Sequence, residues 1–115
     1  MTIQRIDPGQ RLASAVVHGG LVYLAGHVAH DPNAGVREQT AQILTDIDRH
    51  LAEAGTDKSR LLTVSVWLAD IGHFEEMNAA WDAWVDRANL PARATVEARL
   101  ASPAWKVEIA GIAAI

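Results

Sequence analysis

The sequence contains no cysteine, which excludes disulfide bonds, a thiol nucleophile and a zinc-thiolate centre. Basic residues are fewer than acidic ones, 10 against 14, so a nucleic-acid-binding surface is not expected. No apolar run approaches the length of a transmembrane helix, and residues 1 to 5 lack the apolar stretch of a signal peptide. We therefore expect a soluble, cytoplasmic protein with neither nucleic-acid nor membrane partners.

The length and the apolar content indicate how many domains the chain forms and how much apolar surface it must bury. The 115 residues suffice for one domain, which we place at residues 1–115. Half of the residues are apolar, a generous share for a small domain. We expect part of this apolar surface to be buried against another subunit.

The first quarter of the chain has the pattern of β-strands. Residues 2–6 are consistent with a short strand, and two further β-rich runs cover residues 15–18 and 21–25. Gly19-Gly20 separates the two runs, and such a pair predicts a hairpin with a type I′ turn, which needs positive φ at both central residues. Gly26 is predicted to end the second run, and residues 27–35 to form a loop.

A helical period follows and then gives way to a strand. Val36 to Ala54 carry apolar residues at three- and four-residue spacing, and Gly55 is the residue expected just past a helix end. Residues 61–69 alternate as a strand does. One predicted face, directed at the helices, holds Leu62, Val64, Val66 and Leu68. The other holds Thr63, Ser65 and Trp67, a mixed face typical of a subunit interface or a site.

The last third predicts a second helix and two strands. The helix is expected at residues 73–88, with its aromatic side chains in the core, and the strands at residues 93–98 and 106–114. The order β-β-β-α-β-α-β-β predicts an α+β fold, one mixed sheet with two helices on one face. The second face would expose Trp67, so we expect oligomerisation through that face.

Two charged residues stand out in the predicted final strands. Arg93 opens one strand and Glu108 lies early in the next, each flanked by apolar residues. A guanidinium directs two donors onto a carboxylate, so Arg93 is suited to anchor an anionic substrate while Glu108 handles a proton or orients a water. The alternative is a structural ion pair of Arg93 with Glu108 or Glu97. The residues alone leave both interpretations open.

Several motifs resemble those of the Rid family, the reactive-intermediate imine deaminases, also called YjgF-like proteins. The most specific are Pro91-Ala92-Arg93-Ala94-Thr95-Val96 and Val107-Glu108-Ile109, supported by Leu24-Ala25-Gly26 and Trp81-Asp82-Ala83-Trp84. The resemblance spans nearly the whole chain. It is strongest to the YoaB-like second subfamily.

The resemblance implies a chorismate-mutase-like, YjgF-like homotrimer, with its sheets facing the trimer core and clefts between subunits. Arg93 would bind the carboxylate of a 2-imino or 2-enamino acid, and Glu108 would position or activate a water. Backbone groups of Thr95 would face the substrate, and Ala25, Gly26 and His27 would line the pocket. The implied reaction hydrolyses such acids from amino-acid metabolism to 2-keto acids and ammonia. It requires no cofactor, and its partners are small 2-imino or 2-keto acids.

The chain also departs from the family pattern. It lacks a Gly-Pro-Tyr segment near residues 11–14, and it has Ala25-Gly26-His27 where the deaminases have Ser-Gly-Gln. These changes leave room for a second hypothesis, a non-catalytic or regulatory protein that binds small carboxylates in the same cleft. A ribonuclease or translation-inhibitor role is the least favoured, because the acidic residues predominate.

The histidines suggest one further alternative. His27, His30 and Asp31 are close in sequence, but they lie in a predicted loop and lack an evident third well-placed ligand for catalytic zinc. We therefore predict no metal site. His18, His50 and His73 are predicted to be exposed.

Overall fold

Six strands and two helices make up the computed structural model, which describes all 115 residues. In chain order they are β1 Gln4–Pro8, β2 Ala13–His18, β3 Leu21–Val28, α1 Val36–Glu53, β4 Leu61–Leu68, α2 Phe74–Trp84, β5 Ala92–Glu97 and β6 Val107–Ala114. The sheet has the order β1-β2-β3-β6-β4-β5, and all its pairs are antiparallel except β4–β5. The predicted element order and the α+β class with one mixed sheet are confirmed.

The hairpin between β2 and β3 forms as predicted. Gly19 and Gly20 have φ values of +60° and +78°, which a type I′ turn requires and which other residues rarely adopt. His18 pairs with Leu21 across this turn. The two glycines therefore fix the register of the first half of the sheet.

The first helix is also confirmed, and it ends one residue before the predicted boundary. Gly55 follows it with a φ of +85°. The apolar stripe of α1 is buried against the sheet and includes Ile43, Leu44, Ile47 and Leu51. Neither helix of the protein is long and apolar enough to cross a membrane.

The second helix is shorter than predicted, since it ends at Trp84 and not at Ala88. Val85 adopts an extended conformation, with φ −62° and ψ 145°, and joins the core at 9% exposure. Asp86 then accepts hydrogen bonds from the N–H of Ala88 and from the side chain of Asn89. This local turn competes with the helix, as aspartate side chains often do.

Strand boundaries differ from the predictions by one to three residues. Strand β1 covers residues 4–8 instead of 2–6, β3 continues through Gly26 to Val28, and β5 and β6 each differ by one residue. The prediction for Leu62 is wrong: its side chain is 49% exposed, whereas Leu61 is buried. A β-bulge explains this, because β4 has one extra residue between the pairs Leu61–Ala113 and Thr63–Ile112.

The two faces of the sheet have different surroundings. The covered face packs against the helices and carries the buried residues Leu24, Val64, Val66 and Ile109. The open face has no helix, and strand pairing places Trp67 between Glu108 and Val96 on it. Its apolar side chains include Tyr23 and Val96, which are 43% and 51% exposed.

Candidate functional site

A β-bulge shapes the segment that the sequence predicts to line the pocket. Leu24 pairs with Gly111 and His27 with Ile109, so β3 advances three residues where β6 advances two. The extra residue falls at Ala25–Gly26. It allows Leu24 and His27 both to face the covered side, although regular alternation would place them on opposite faces.

Glu108 lies directly against this bulge. A Cβ atom added to Gly26 would overlap Oε2 of Glu108 and would lie 3.0 Å from its carboxyl carbon. Only glycine therefore allows the carboxylate to occupy this position. Glu108 pairs with Trp67 and is half-buried, so the carboxylate, Gly26 and Trp67 are neighbours on the open face.

Arg93 lies on the covered face, because it pairs with the buried Val64. Its guanidinium carbon is 5.1 Å from the ring centroid of Trp81 and 5.9 Å from that of Phe74, both within cation–π range. Its Nη1 is 3.9 Å from the sulfur of Met77. Helix α2 thus supplies an apolar, aromatic support for this cation.

Arg93 has no carboxylate within ion-pairing distance, since the ion pairs of the structure join Arg49 to Asp46 and His50 to Asp7. The carboxylate of Glu97 accepts a hydrogen bond from the N–H of Ile71 at 3.1 Å. Burial lowers the pKa of Arg93, and the charge of Asp82 opposes this shift. The chain therefore does not contain an internal ion pair of Arg93 with Glu108 or Glu97.

Thr95 is two residues beyond Arg93 on the same face, where it pairs with Val66. Its Oγ1 is buried and has no hydrogen-bond partner in the structure. The predicted site residues thus fall into two groups on opposite faces of the sheet. We call Arg93 and Thr95 the arginine half-site, and Ala25, Gly26 and Glu108 the glutamate half-site.

His27 does not line an open pocket, because its ring is only 8% exposed and lies on the covered face. Its Nδ1 is 2.6 Å from the carbonyl oxygen of Ala25, and its Nε2 is 2.9 Å from Nδ1 of His50. Burial lowers the pKa of His27 from its ordinary value, and the neighbouring His50 adds to this shift.

The prediction that His50 is exposed is wrong, since it is 3% exposed. It follows Ile43 and Ile47 at helical spacing, so it lies on the apolar stripe of α1. That spacing was the signal for a buried histidine. Nε2 of His50 is 3.7 Å from Oδ2 of Asp7.

The structure does not bring His27, His30 and Asp31 together as a metal site would require. His27 is buried against α1, whereas His30 and Asp31 are exposed in the following loop. No group of three His, Asp or Glu side chains in the structure is arranged to hold a metal ion.

Comparison with known proteins gives one consistent family. Residues 2–115 match the family model described as Endoribonuclease L-PSP. A RutC family protein of Haemophilus ducreyi is 48% identical over 113 residues, which cover 98% of this chain and 97% of the relative. The RutC family protein YoaB of Escherichia coli is 44% identical over the full length of both chains.

The solved structures agree with the sequence relatives. The crystal structure of a YjgF family member from Neisseria meningitidis has a TM-score of 0.95 and 46% identity, and the match covers 99% of this chain and 95% of that one. The chain therefore belongs to the YjgF/RutC/Endoribonuclease L-PSP family. The family resemblance inferred from the sequence motifs is confirmed.

Proposed function

We propose that this protein is an imine deaminase that hydrolyses small 2-imino or 2-enamino acids to 2-keto acids and ammonia. The observation that carries the proposal is the state of Arg93. Its guanidinium is partly desolvated over two aromatic rings and has no internal carboxylate partner. A fixed, unpaired guanidinium of this kind suits the carboxylate of a small acid, which it can bind through two parallel hydrogen bonds.

In the proposed assembly, the two half-sites meet between neighbouring protomers. Arg93 and Glu108 lie on opposite faces of the sheet, and Arg93 is on β5, an edge strand. A homotrimer whose open faces line its core would set the arginine half-site of one protomer against the glutamate half-site of its neighbour. The exposed Tyr23 and Val96 support this arrangement, since an apolar open face gains stability when it is buried.

The proposed reaction uses each half-site for one task. Arg93 holds the substrate carboxylate and thereby places the C=N carbon beside a water near Glu108. Glu108 accepts a proton as the water oxygen bonds to that carbon, and the C=N π electrons move to nitrogen. Glu108 returns that proton to nitrogen, which gives a neutral carbinolamine. Glu108 then takes up the hydroxyl proton and delivers it to nitrogen as the C–N bond breaks, so that the 2-keto group forms and ammonia leaves. Positioning and charge complementarity supply the rate gain.

The test compares wild type with Arg93→Ala and Arg93→Lys. We expect both variants to keep nearly the wild-type melting temperature, because no internal ion pair is lost. Calorimetric titration with 2-oxobutyrate should detect no binding to the alanine variant and only weak binding to the lysine variant, since an ammonium lacks the two-pronged fork. Arg87→Ala is the matched control, because Arg87 is exposed beyond the end of α2.

Turnover is measured separately with 2-iminopropionate against a reaction without protein. Hydrolysis that depends on Arg93 supports the deaminase. A folded Arg93→Ala variant that still binds 2-oxobutyrate would remove Arg93 from the site. Binding without hydrolysis would instead assign the cleft to a carboxylate-binding protein.

A further inference from the structure

Two buried imidazoles connect the glutamate half-site to the protein surface. His27 contacts the carbonyl oxygen of Ala25 at the bulge, and His50 contacts His27 from the last turn of α1. On the far side of His50 is Asp7, whose side chain is 67% exposed. We call His27, His50 and Asp7 the histidine relay.

The chemistry of the partners fixes the hydrogen positions in the neutral relay. A carbonyl oxygen only accepts, so Nδ1 of His27 must carry a hydrogen and donate it to Ala25. Nε2 of the neutral His27 is then an acceptor, and Nδ1 of His50 must donate to it. This leaves Nε2 of His50 without a hydrogen, and that atom is buried without a hydrogen-bond partner.

The relay has a place for one added proton. A proton on Nε2 of His50 would face the carboxylate of Asp7 and would leave both existing hydrogen bonds intact. A second proton, on Nε2 of His27, would set one N–H against another and break the link between the rings. Around His27, Arg49 and a charged His50 oppose that second proton, whereas Asp46 favours it.

Resting on the proposed function, we propose that His27 and His50 are positioning residues that hold Gly26 beneath the carboxylate of Glu108. The hydrogen bond from His27 to Ala25 spans Gly26 and closes the bulge around it. Since the carboxylate of Glu108 lies directly on Gly26, any relaxation of the bulge displaces the proposed water-activating group. His50 fixes the orientation of the His27 ring that makes this bond.

The first test reads the hydrogen positions without any ligand. At pH 8, long-range ¹H–¹⁵N NMR spectra should show both rings as the Nδ1–H tautomer, the minor form of free histidine. A neutral Nε2–H tautomer at either ring above pH 7 would overturn the relay.

The second test separates positioning from simple packing. In His27→Asn the amide Nδ2 replaces the ring Nδ1 as donor to Ala25, but the side chain cannot take up a proton. In His27→Leu the donor is lost. We expect the leucine variant to lose activity by about 100-fold at all pH values, whereas the asparagine variant recovers most of it at pH 8.

The pH profile completes this comparison. Wild-type activity should fall at a pH below 6.5 as Nε2 of His27 becomes protonated. The reason is that burial lowers the pKa of His27 below the ordinary histidine value of 6.5. The asparagine variant should lack this acid limb, and the control His18→Asn, in the β2–β3 hairpin, should retain it. Asparagine and leucine variants with equal activity and unchanged profiles would refute the positioning role.

The proposal remains testable if the proposed function fails. The amide resonance of Gly26 should shift with the titration of His27 in wild type and should not shift in His27→Asn. A protein that neither binds nor hydrolyses the acids but shows this shift would refute the deaminase and retain the relay. An active protein without the shift would refute the relay alone.

Discussion

The two faces of the sheet differ in how much of their apolar surface is buried within a single chain. On the covered face, Val64, Val66 and Ile109 are at most 3% exposed, and the helices complete their packing within one protomer. On the open face, Tyr23 and Val96 keep roughly half of their surface exposed. The covered face accounts for the stability of the protomer, whereas the proposed site needs residues from both faces.

The largest effect is expected from a charge placed on the open face. Trp67→Glu would bury an unpaired carboxylate at the proposed subunit interface, so the protein should dissociate or unfold. Light scattering and thermal melting measure the outcome, with Leu90→Glu in an exposed loop as the control. A Trp67→Glu protein that stays trimeric and equally stable would show that this face is not the interface.

Two isoleucines on β6 allow the covered and open faces to be compared within one strand. Ile109 is fully buried on the covered face, so Ile109→Ala should lower the free energy of unfolding by about 2–5 kcal/mol. Ile112 is half-buried on the open face, so Ile112→Ala should mainly weaken assembly. Chemical denaturation and concentration-dependent light scattering separate the two effects. Equal losses of protomer stability would contradict the division between the faces.

The smallest expected signal comes from mixing two inactive variants. If the half-sites meet between protomers, mixed trimers of Arg93→Ala and Glu108→Gln contain some sites with both native residues. Random assembly of equal amounts gives about one such site in four, and a corresponding share of wild-type activity. Each variant refolded alone is the control. A mixture as inactive as its components would mean that Arg93 and Glu108 act within one chain.

Local signals in the sequence predicted much of the fold. The paired glycines at positions 19 and 20 specify a turn by themselves, and the stripe of α1 repeats over five turns. The exposure of Leu62 cannot be predicted from local sequence, because the β-bulge that causes it depends on pairing with β6, which is distant in the chain. Helix α2 ends before the predicted boundary, because the turn at Asp86 replaces the last helical turn although the helical periodicity of the sequence continues.

Prediction of the candidate site is limited in the same way by long-range strand pairing. The motifs identified Arg93 and Glu108, but the face that each occupies depends on how β5 and β6 pair with β4. The family resemblance places His27 in the pocket beside Ala25 and Gly26, whereas the extra residue at Ala25–Gly26 turns its ring to the covered face. His50 was predictable from its helical spacing, although a histidine on an apolar stripe gives no hint of its partner.

The location of Arg93 on an edge strand has a consequence for solubility. Strand β5 pairs only with β4, so its outer backbone groups are open to another β-strand. Proteins protect such edges with charged side chains and proline, and β5 has Arg93 and Glu97 within it and Pro91 just before it. Arg93 is therefore of the residue type that protects an edge strand against edge-to-edge aggregation. Solubility alone would favour a charge at position 93, whether or not this residue binds a substrate.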